Sequence, residues 1–324
     1  LVSWNADVHV LVRCYPEQLK HIGGLRDRIH LHRADVRSYR QVRTVVRELK
    51  GCEGLIVFHL AAQAHVGESW VNPEETLNTN LLGTLYLLQA IRDESLHLHR
   101  FEFAGTSEEY GSFDPTRAYL YPRLEDGSIA LNEEAPLNPK SVYATSKVAA
   151  DFLTLNFYEA YEVPAVIARM FNNFGPHQSP RFITGAVITQ ALLRDTVEIG
   201  WHQIRRDFTY IEDGILGHLL IGRYGNVGET YVFGQGKNIS ILDWVKLILE
   251  TGQKSGYWGE KELFINKDRF RLGCTDNADL LADSSKIRAQ LGWQPQVAWE
   301  SGIAAAIKWY AENRCTWESL TDWK

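Results

Sequence analysis

Leu55-Ile56-Val57-Phe58-His59-Leu60 is an apolar run of strand length, followed at once by the small pair Ala61-Ala62. A strand wet on one face alternates apolar and polar residues. A run such as this belongs to a parallel strand covered on both faces. The neighbouring sequence fits that reading. Val8–Val12 and Ile29–Leu31 read as strands, and Tyr39–Leu49 as a helix between strands. Glu74–Arg92 places Leu77, Leu81, Leu85, Leu88 and Ile91 at helical spacing. Phe101–Ala104 is the next strand, Val142–Tyr161 a long helix and Ala165–Arg169 a further strand. Strands alternating with helices predict an α/β fold with a doubly wound parallel sheet.

Beyond Asn172 the rhythm breaks. Pro176, Pro180 and several glycines predict a loop-rich, smaller lobe, with Leu242–Glu250 and Ser301–Tyr310 as helices in or beside it. The expected organisation is a Rossmann-type dinucleotide-binding domain over 1–171 and a substrate lobe over 172–324. Segments around 207–235 are expected to return to the first domain. One part of the pattern is missing. Such a fold opens with a strand, a glycine-rich turn and a helix, whose N–H groups cradle a pyrophosphate. No GxGxxG or GxxGxxG precedes Val8, and Gly23-Gly24 comes after the strand. The expectation is that the first strand and its loop, about 20 residues, are absent.

Composition bounds the class. The 324 residues are 45% hydrophobic and 23% charged, with a formal net charge of −6. That is a soluble globular composition, and it argues against a nucleic-acid binder. No apolar run reaches the ~18 residues of a membrane span, so no membrane association is expected. Cys14, Cys52, Cys274 and Cys315 lack CxxC spacing. Reduced thiols, a cytoplasmic location and no metal are expected.

Tyr143 and Lys147 are four residues apart and share a helix face. An ammonium there can stabilise a phenolate, lowering a pKa that is otherwise about 10. That arrangement suits proton removal from a hydroxyl while a nicotinamide takes the hydride. Thr106-Ser107-Glu108 follows a strand, and carboxyl ends of strands face the ligand crevice in a doubly wound sheet. Each feature also has a bland reading: a partly exposed tyrosine beside a surface lysine, and a helix-capping turn. Ala61-Ala62 suits close approach of a cofactor or simply tight packing. His65 is more readily structural than catalytic. Together the residues give a base, a cation and a carboxylate in one crevice.

The chain resembles the extended short-chain dehydrogenase/reductase family, in its nucleotide-sugar epimerase and dehydratase branch. The resemblance runs from about Val8 to Tyr310. It rests on Leu60-Ala61-Ala62-Gln63-Ala64-His65-Val66, Asn80 with Gly83-Thr84, Thr106-Ser107-Glu108-Glu109-Tyr110-Gly111 and Tyr143 through Lys147. Asn172-Asn173-Phe174-Gly175-Pro176, Arg206 through Asp213 and Leu291-Gly292-Trp293-Gln294-Pro295 complete it. Thr-Ser-Glu looks most like GDP-mannose 4,6-dehydratase and related UDP-N-acetylglucosamine enzymes. The stretch Asn172–Pro180 looks more like the dTDP-glucose or UDP-N-acetylglucosamine enzymes.

By that resemblance the chain is an NAD(P)-dependent lyase, a nucleotide-sugar 4,6-dehydratase. The readings beside it are a 4-epimerase and a cofactor-free binding or regulatory protein. Tyr143, Lys147, Thr106, Ser107 and Glu108 would be catalytic. Tyr143 and Lys147 would also meet the cofactor, together with Arg13, Asp35, Val36, Leu60, Ala61, Ala62, Gln63 and Asn80. Arg13 stands after the strand where an acidic residue would hold the ribose 2′-hydroxyl of NAD, so NADP is favoured, with NAD the alternative. Asn172, Asn173, Arg181, Arg206, Arg269 and Arg271 are candidates for the nucleotide-sugar substrate, arginine being suited to bidentate phosphate binding. A homodimer or homotetramer is implied, built on Leu81–Leu88 and Phe152–Tyr158.

Overall fold

The computed structural model describes residues 1–14, 20–124, 127–270 and 279–321. Strand β1 (His9–Val12) and β2 (His30–Arg33) precede helix α1 (Tyr39–Glu48) and β3 (Ile56–His59). Then come α2 (Val66–Val71), α3 (Pro73–Leu77), α4 (Gly83–Asp93), β4 (Arg100–Ala104), α5 (Val142–Tyr161) and β5 (Ala165–Met170). The remainder holds β6 (Asn172–Phe174), α6 (Ile183–Leu193), β7 (Thr196–Ile199), β8 (Arg205–Arg206), β9 (Phe208–Tyr210) and α7 (Ile211–Tyr224). It ends with β10 (Thr230–Phe233), β11 (Ile239–Ser240), α8 (Ile241–Lys254), β12 (Glu262–Ile265), α9 (Ser285–Leu291), α10 (Trp299–Glu312) and α11 (Arg314–Trp317).

The central sheet is parallel, in the order β10-β5-β4-β3. Every residue of β4 is buried, as are the first five of β5, including the charged Arg100, Glu102 and Arg169. β1 and β2 form a separate parallel pair. Among the described residues no strand joins β1 to β3. That gap corrects the reading of Leu55–Leu60. Only Ile56–His59 is strand, its first three residues are half-buried, and Leu60 is 59% exposed. Among the described residues β3 has a strand partner on one side alone, so it is not sandwiched like β4.

Helix starts follow the sequence. Ser38, Ser141 and Ser240 accept backbone N–H bonds from the first turns of α1, α5 and α8. The helix expected over Glu74–Arg92 is instead two helices joined by a π-turn over Asn78–Leu82. Such bulges frequently accompany functional sites.

The chain beyond Asn172 is more regular than its sequence suggests. α6 was not foreseen because it is apolar almost all round and shows no amphipathic stripe; Val187, Ile188 and Ala191 are all buried. The core of this region centres on Trp244. Its ring stacks on Phe208 at 4.2 Å and meets Phe174 and Trp299 edge-on at 4.9 and 5.5 Å. Its indole N–H reaches Thr184 Oγ1 at 3.1 Å, so the polar tip is satisfied while the ring stays dry. α7 and β10 return to the first sheet. β10 pairs with β5, while His218 of α7 reaches Glu102 of β4 at 2.6 Å.

Candidate active site

The catalytic candidates gather where β4 ends against the start of α5. Thr106, Ser107 and Glu108 form the first turn of a short 3₁₀ helix, Ser107–Tyr110, and all three are buried. Thr106 caps it: its hydroxyl accepts the Glu108 N–H at 3.3 Å, and its own N–H donates to Glu109 Oε1 at 2.8 Å. Two glycines allow the turn. A Cβ at Gly105 would lie 2.9 Å from both Glu109 Oε1 and Arg169 Cγ. Gly111 has φ +60°, and a Cβ there would overlap the Asn138 carbonyl.

α5 presents Tyr143, Lys147 and Asp151 on one stripe, all buried. Lys147 Nζ lies 4.2 Å from the Phe103 ring centroid. Burial pulls its pKa down to about 8, against the upward pull of Glu109, Asp151 and Glu102. In the protein alone the phenol of Tyr143 shifts upward and not downward. Burial raises the Tyr143 phenol above its ordinary value, and the charges of Glu108 and Glu109 add to that. The Thr106 hydroxyl alone works the other way. Desolvation and the carboxylates beside the phenol leave no local mark in the sequence, whereas the lysine does.

Beneath the turn lies a buried network missed in the sequence. Arg169 Nε is 2.9 Å from Asp151 Oδ2 and 3.1 Å from Glu109 Oε2. A single N–H serves one of them, and the shorter contact goes to Asp151. Glu109 Oε2 and Asp151 Oδ1 are then left buried without hydrogen bonds. A proton on Glu109, donated to Asp151, resolves both. Burial and the Asp151 charge accordingly push the Glu109 carboxyl well above its ordinary range. The sequence did carry signals: Arg169 is the one charge in an apolar strand, and Asp151 stands one further step of four beyond Lys147.

The cofactor candidates fall mainly on one cavity of about 300 Å³. Arg13, Asp35, Val36, Ala61, Ala62 and Gln63 line it, with Leu11, Ala34, Glu75 and Thr79. Thr79 Oγ1 is buried there without a hydrogen-bond partner, a donor or acceptor left for a ligand. Arg13 is exposed and 3.5 Å from Glu75. Asp35 is gripped by Arg37 at 2.7 Å, which holds its carboxyl below the usual range. Four candidates lie otherwise: Tyr143 and Lys147 stand in the catalytic cluster, and Leu60 and Asn80 are placed differently again. Leu60 points to solvent. Asn80 spends its amide on the protein: Oδ1 accepts Gln63 N–H at 2.7 Å, and Nδ2 donates to Gln63 O at 3.0 Å and Ser146 Oγ at 2.9 Å. It ties the π-turn, the β3 loop and α5 together beside the site. A larger cavity, about 530 Å³, lies at the far end of β10 and touches no catalytic candidate.

The substrate candidates divide. The amide oxygens of Asn172 and Asn173 are buried without hydrogen bonds, as are Gln178 Oε1 and Thr209 Oγ1 close by. Asn173 and Thr209 are register partners on β6 and β9, and Gln178 Nε2 donates to the Asn173 carbonyl at 2.7 Å. Asn173 and Thr209 share one face of the β6–β9 pair and Asn172 takes the other, so the unspent polar atoms fall on both faces of β6; the sequence gives no signal for Gln178 and Thr209. The arginines are dispersed. Arg181 pairs with Glu68 at 2.7 Å, Arg206 is buried and donates to the Arg205 carbonyl, and Arg269 holds Glu198. Arg271 and Cys274 lie outside the described residues. No described helix is long and apolar enough to cross a membrane.

Comparison with known proteins places the chain in a family. The family profile described as GDP-mannose 4,6 dehydratase matches residues 1–306. A probable dTDP-glucose 4,6-dehydratase of Sinorhizobium fredii is 30% identical over 339 aligned positions, covering 99% of this chain and 91% of that protein. The human dTDP-D-glucose 4,6-dehydratase is 30% identical over 82% of this chain and 70% of its own. The crystal structure of a dTDP-glucose 4,6-dehydratase from Streptomyces venezuelae, with NAD bound, superposes with a TM-score of 0.80. It is 26% identical and covers 97% of this chain and 90% of that one. The chain belongs to the GDP-mannose 4,6-dehydratase family of nucleotide-sugar dehydratases.

Proposed function

We propose that this chain is a nicotinamide-dependent nucleotide-sugar 4,6-dehydratase, turning an NDP-hexose into its 4-keto-6-deoxy form. One observation carries the reading: the Thr106–Glu108 turn is packed against Tyr143 and Lys147 of α5 at the carboxyl end of β4. A simple dehydrogenase needs the tyrosine and lysine; the additional carboxylate suits elimination.

The cavity between β1, β2 and the β3 loop supports a nucleotide there, with Ala34, Ala61 and Ala62 giving room and Thr79 an unspent hydroxyl. When bound, the oxidised nicotinamide supplies a positive ring near Tyr143 and a hydride acceptor for C4, returning that hydride to C6. Tyr143 would act as the phenolate, which burial disfavours in the protein alone and which the positive charges of Lys147 and the bound nicotinamide would favour; its Oη would then take the proton of the sugar 4-hydroxyl, with the Thr106 hydroxyl orienting that group. Lys147 keeps positive charge behind the phenol. The 4-ketone makes the C5 hydrogen acidic, and the Glu108 carboxylate removes it. Departure of the 6-hydroxyl as water takes a proton from Glu108 or through Ser107. Asn172, with its buried amide oxygen unspent, is a candidate to hold the substrate, and Arg181, now paired with Glu68, would have to exchange that partner to meet the diphosphate.

Arg13 at the cavity mouth and Arg37 behind Asp35 favour a 2′-phosphate, hence NADP over NAD. Half-exposed Phe152 and Tyr161 on α5 support a homodimer through that helix, which sedimentation would test. Replacing Glu108 by Gln tests the dehydration itself. The expected result is loss of the 4-keto-6-deoxy product with cofactor binding intact. Full turnover by that variant would overturn the assignment.

A further inference from the structure

We propose that Asp7, His9 and His30 form a binding site for one divalent transition-metal ion, of the zinc or cobalt type, on the β1–β2 pair. The register carries the argument first. β1 and β2 run parallel with His9 opposite His30 and Leu11 opposite His32. Side chains two apart on a strand share a face, so His9, His30 and His32 stand together on one side of this pair. The His9 ring is 4.6 Å from that of His30 and 5.1 Å from that of His32. Asp7, two residues before His9, reaches the same face. Its carboxylate lies 3.0 Å from His30 Nε2 and 3.5 Å from His9 Nε2.

The hydrogen bonds then fix which nitrogens are free. Glu48 Oε2, at the end of α1, is 3.1 Å from His32 Nδ1. A carboxylate only accepts, so His32 Nδ1 carries the hydrogen. Neutral His32 then offers Nε2 as an acceptor, and His9 Nδ1, 2.9 Å away, donates to it. This leaves His9 Nε2 with a lone pair and no hydrogen. That nitrogen is buried, has no hydrogen-bond partner and faces the Asp7 carboxylate. A proton on Nε2 or a metal ion can sit between these two electron-pair donors, and His30 beside them supplies the third donor that a metal ion would use.

The three donor atoms lie within 4.8 Å of one another. Zinc ligation at about 2.0–2.2 Å asks them to draw in to roughly 3.3 Å, a small rotation for half-exposed rings. Two imidazoles and a carboxylate suit zinc, with the solvent side left for water. Glu48 and His32 behave as the outer shell that orients a ligating histidine. The site would clamp β1 to β2, which form one wall of the nucleotide cavity through Leu11, Arg13 and Ala34. No cysteine takes part, so the cysteine spacing could not reveal it. His9 and His30 stand 21 residues apart in sequence and meet through strand register.

The test is titration of the full chain, free of any histidine tag, with Co²⁺ followed by its visible d–d absorption, then displacement by Zn²⁺. The expected result is one Co²⁺ per chain, displaced by Zn²⁺, with affinity at least tenfold weaker in His30→Ala and in Asp7→Asn. Both residues are exposed, so neither change threatens folding; equal melting temperatures in chelator would establish that. Absence of saturable binding, or binding left intact by both substitutions, would overturn the proposal.

Discussion

Glu109→Gln tests the buried network under the catalytic turn. The claim is that Glu109 is protonated in the folded protein while Asp151 carries the charge that meets Arg169. Glutamine then reproduces the folded-state carboxyl almost atom for atom: its oxygen still accepts the Thr106 N–H, now 2.8 Å away, and its amide donates where the proton did. The cost should stay under about 1 kcal/mol. Asp151→Asn is different. It removes the partner of a guanidinium that is 6% exposed, and breaking a buried pair costs about 3–5 kcal/mol. The pH dependence sharpens the contrast. A carboxyl raised in the folded state contributes stability that is full below its unfolded pKa of about 4.5 and is lost as pH rises through the folded value. Wild type therefore loses up to about 1.4 kcal/mol per pH unit from this group across that window, and Glu109→Gln loses none of it. Urea unfolding from pH 5 to 8 should show the glutamine variant gaining on wild type as pH rises. Equal costs for both substitutions at every pH would refute the shared-proton assignment and mean that both carboxyls are ionised.

Four further expectations follow from the same structure. His59 is buried, with its pKa depressed to about 3. Its contribution is present above pH 6.5 and lost as pH falls toward 3. Between pH 7.5 and 5 that is about 2 kcal/mol, a loss His59→Asn should lack in denaturant titrations. Asn80→Ala strips hydrogen bonds from Gln63 and Ser146, costing about 1–3 kcal/mol and weakening nicotinamide binding by calorimetry; unchanged affinity would separate the π-turn from the site. Gly105→Ala forces a Cβ within 2.9 Å of Glu109 and Arg169, so kcat should fall much more than nucleotide-sugar affinity. Arg13→Ala should weaken NADP binding more than NAD binding in a fluorescence titration, and equal losses would remove the case for the phosphate.

Much of the fold was legible because buried parallel strands and a capped long helix leave plain local marks. Val142–Tyr161 is the clearest example: Ser141 marks its start, and its length follows from the sequence. Where the reading strayed, the cause was tertiary. Leu60 looks buried by composition, yet among the described residues β3 has a strand partner on one side alone. Asn80 looked like a cofactor ligand, but its amide is consumed by Gln63 and Ser146. Glu109 sat in view beside Glu108, yet its role depends on Arg169 and Asp151, which local sequence does not bring together. The Tyr143 phenol shows the same limit, since burial outweighs the nearby lysine. His9 and His30 make the point again, because only strand register places them side by side.

The central claim is internal redox elimination of water with Glu108 as the C5 base. The most direct measurement offers GDP-mannose, dTDP-glucose and UDP-N-acetylglucosamine in deuterated water, with NAD and with NADP, and reads product masses. The account predicts a 4-keto-6-deoxy sugar from at least one of them, carrying one solvent deuterium at C5 and the original C4 hydrogen at C6. A C4-inverted sugar that has kept its 6-hydroxyl would contradict it.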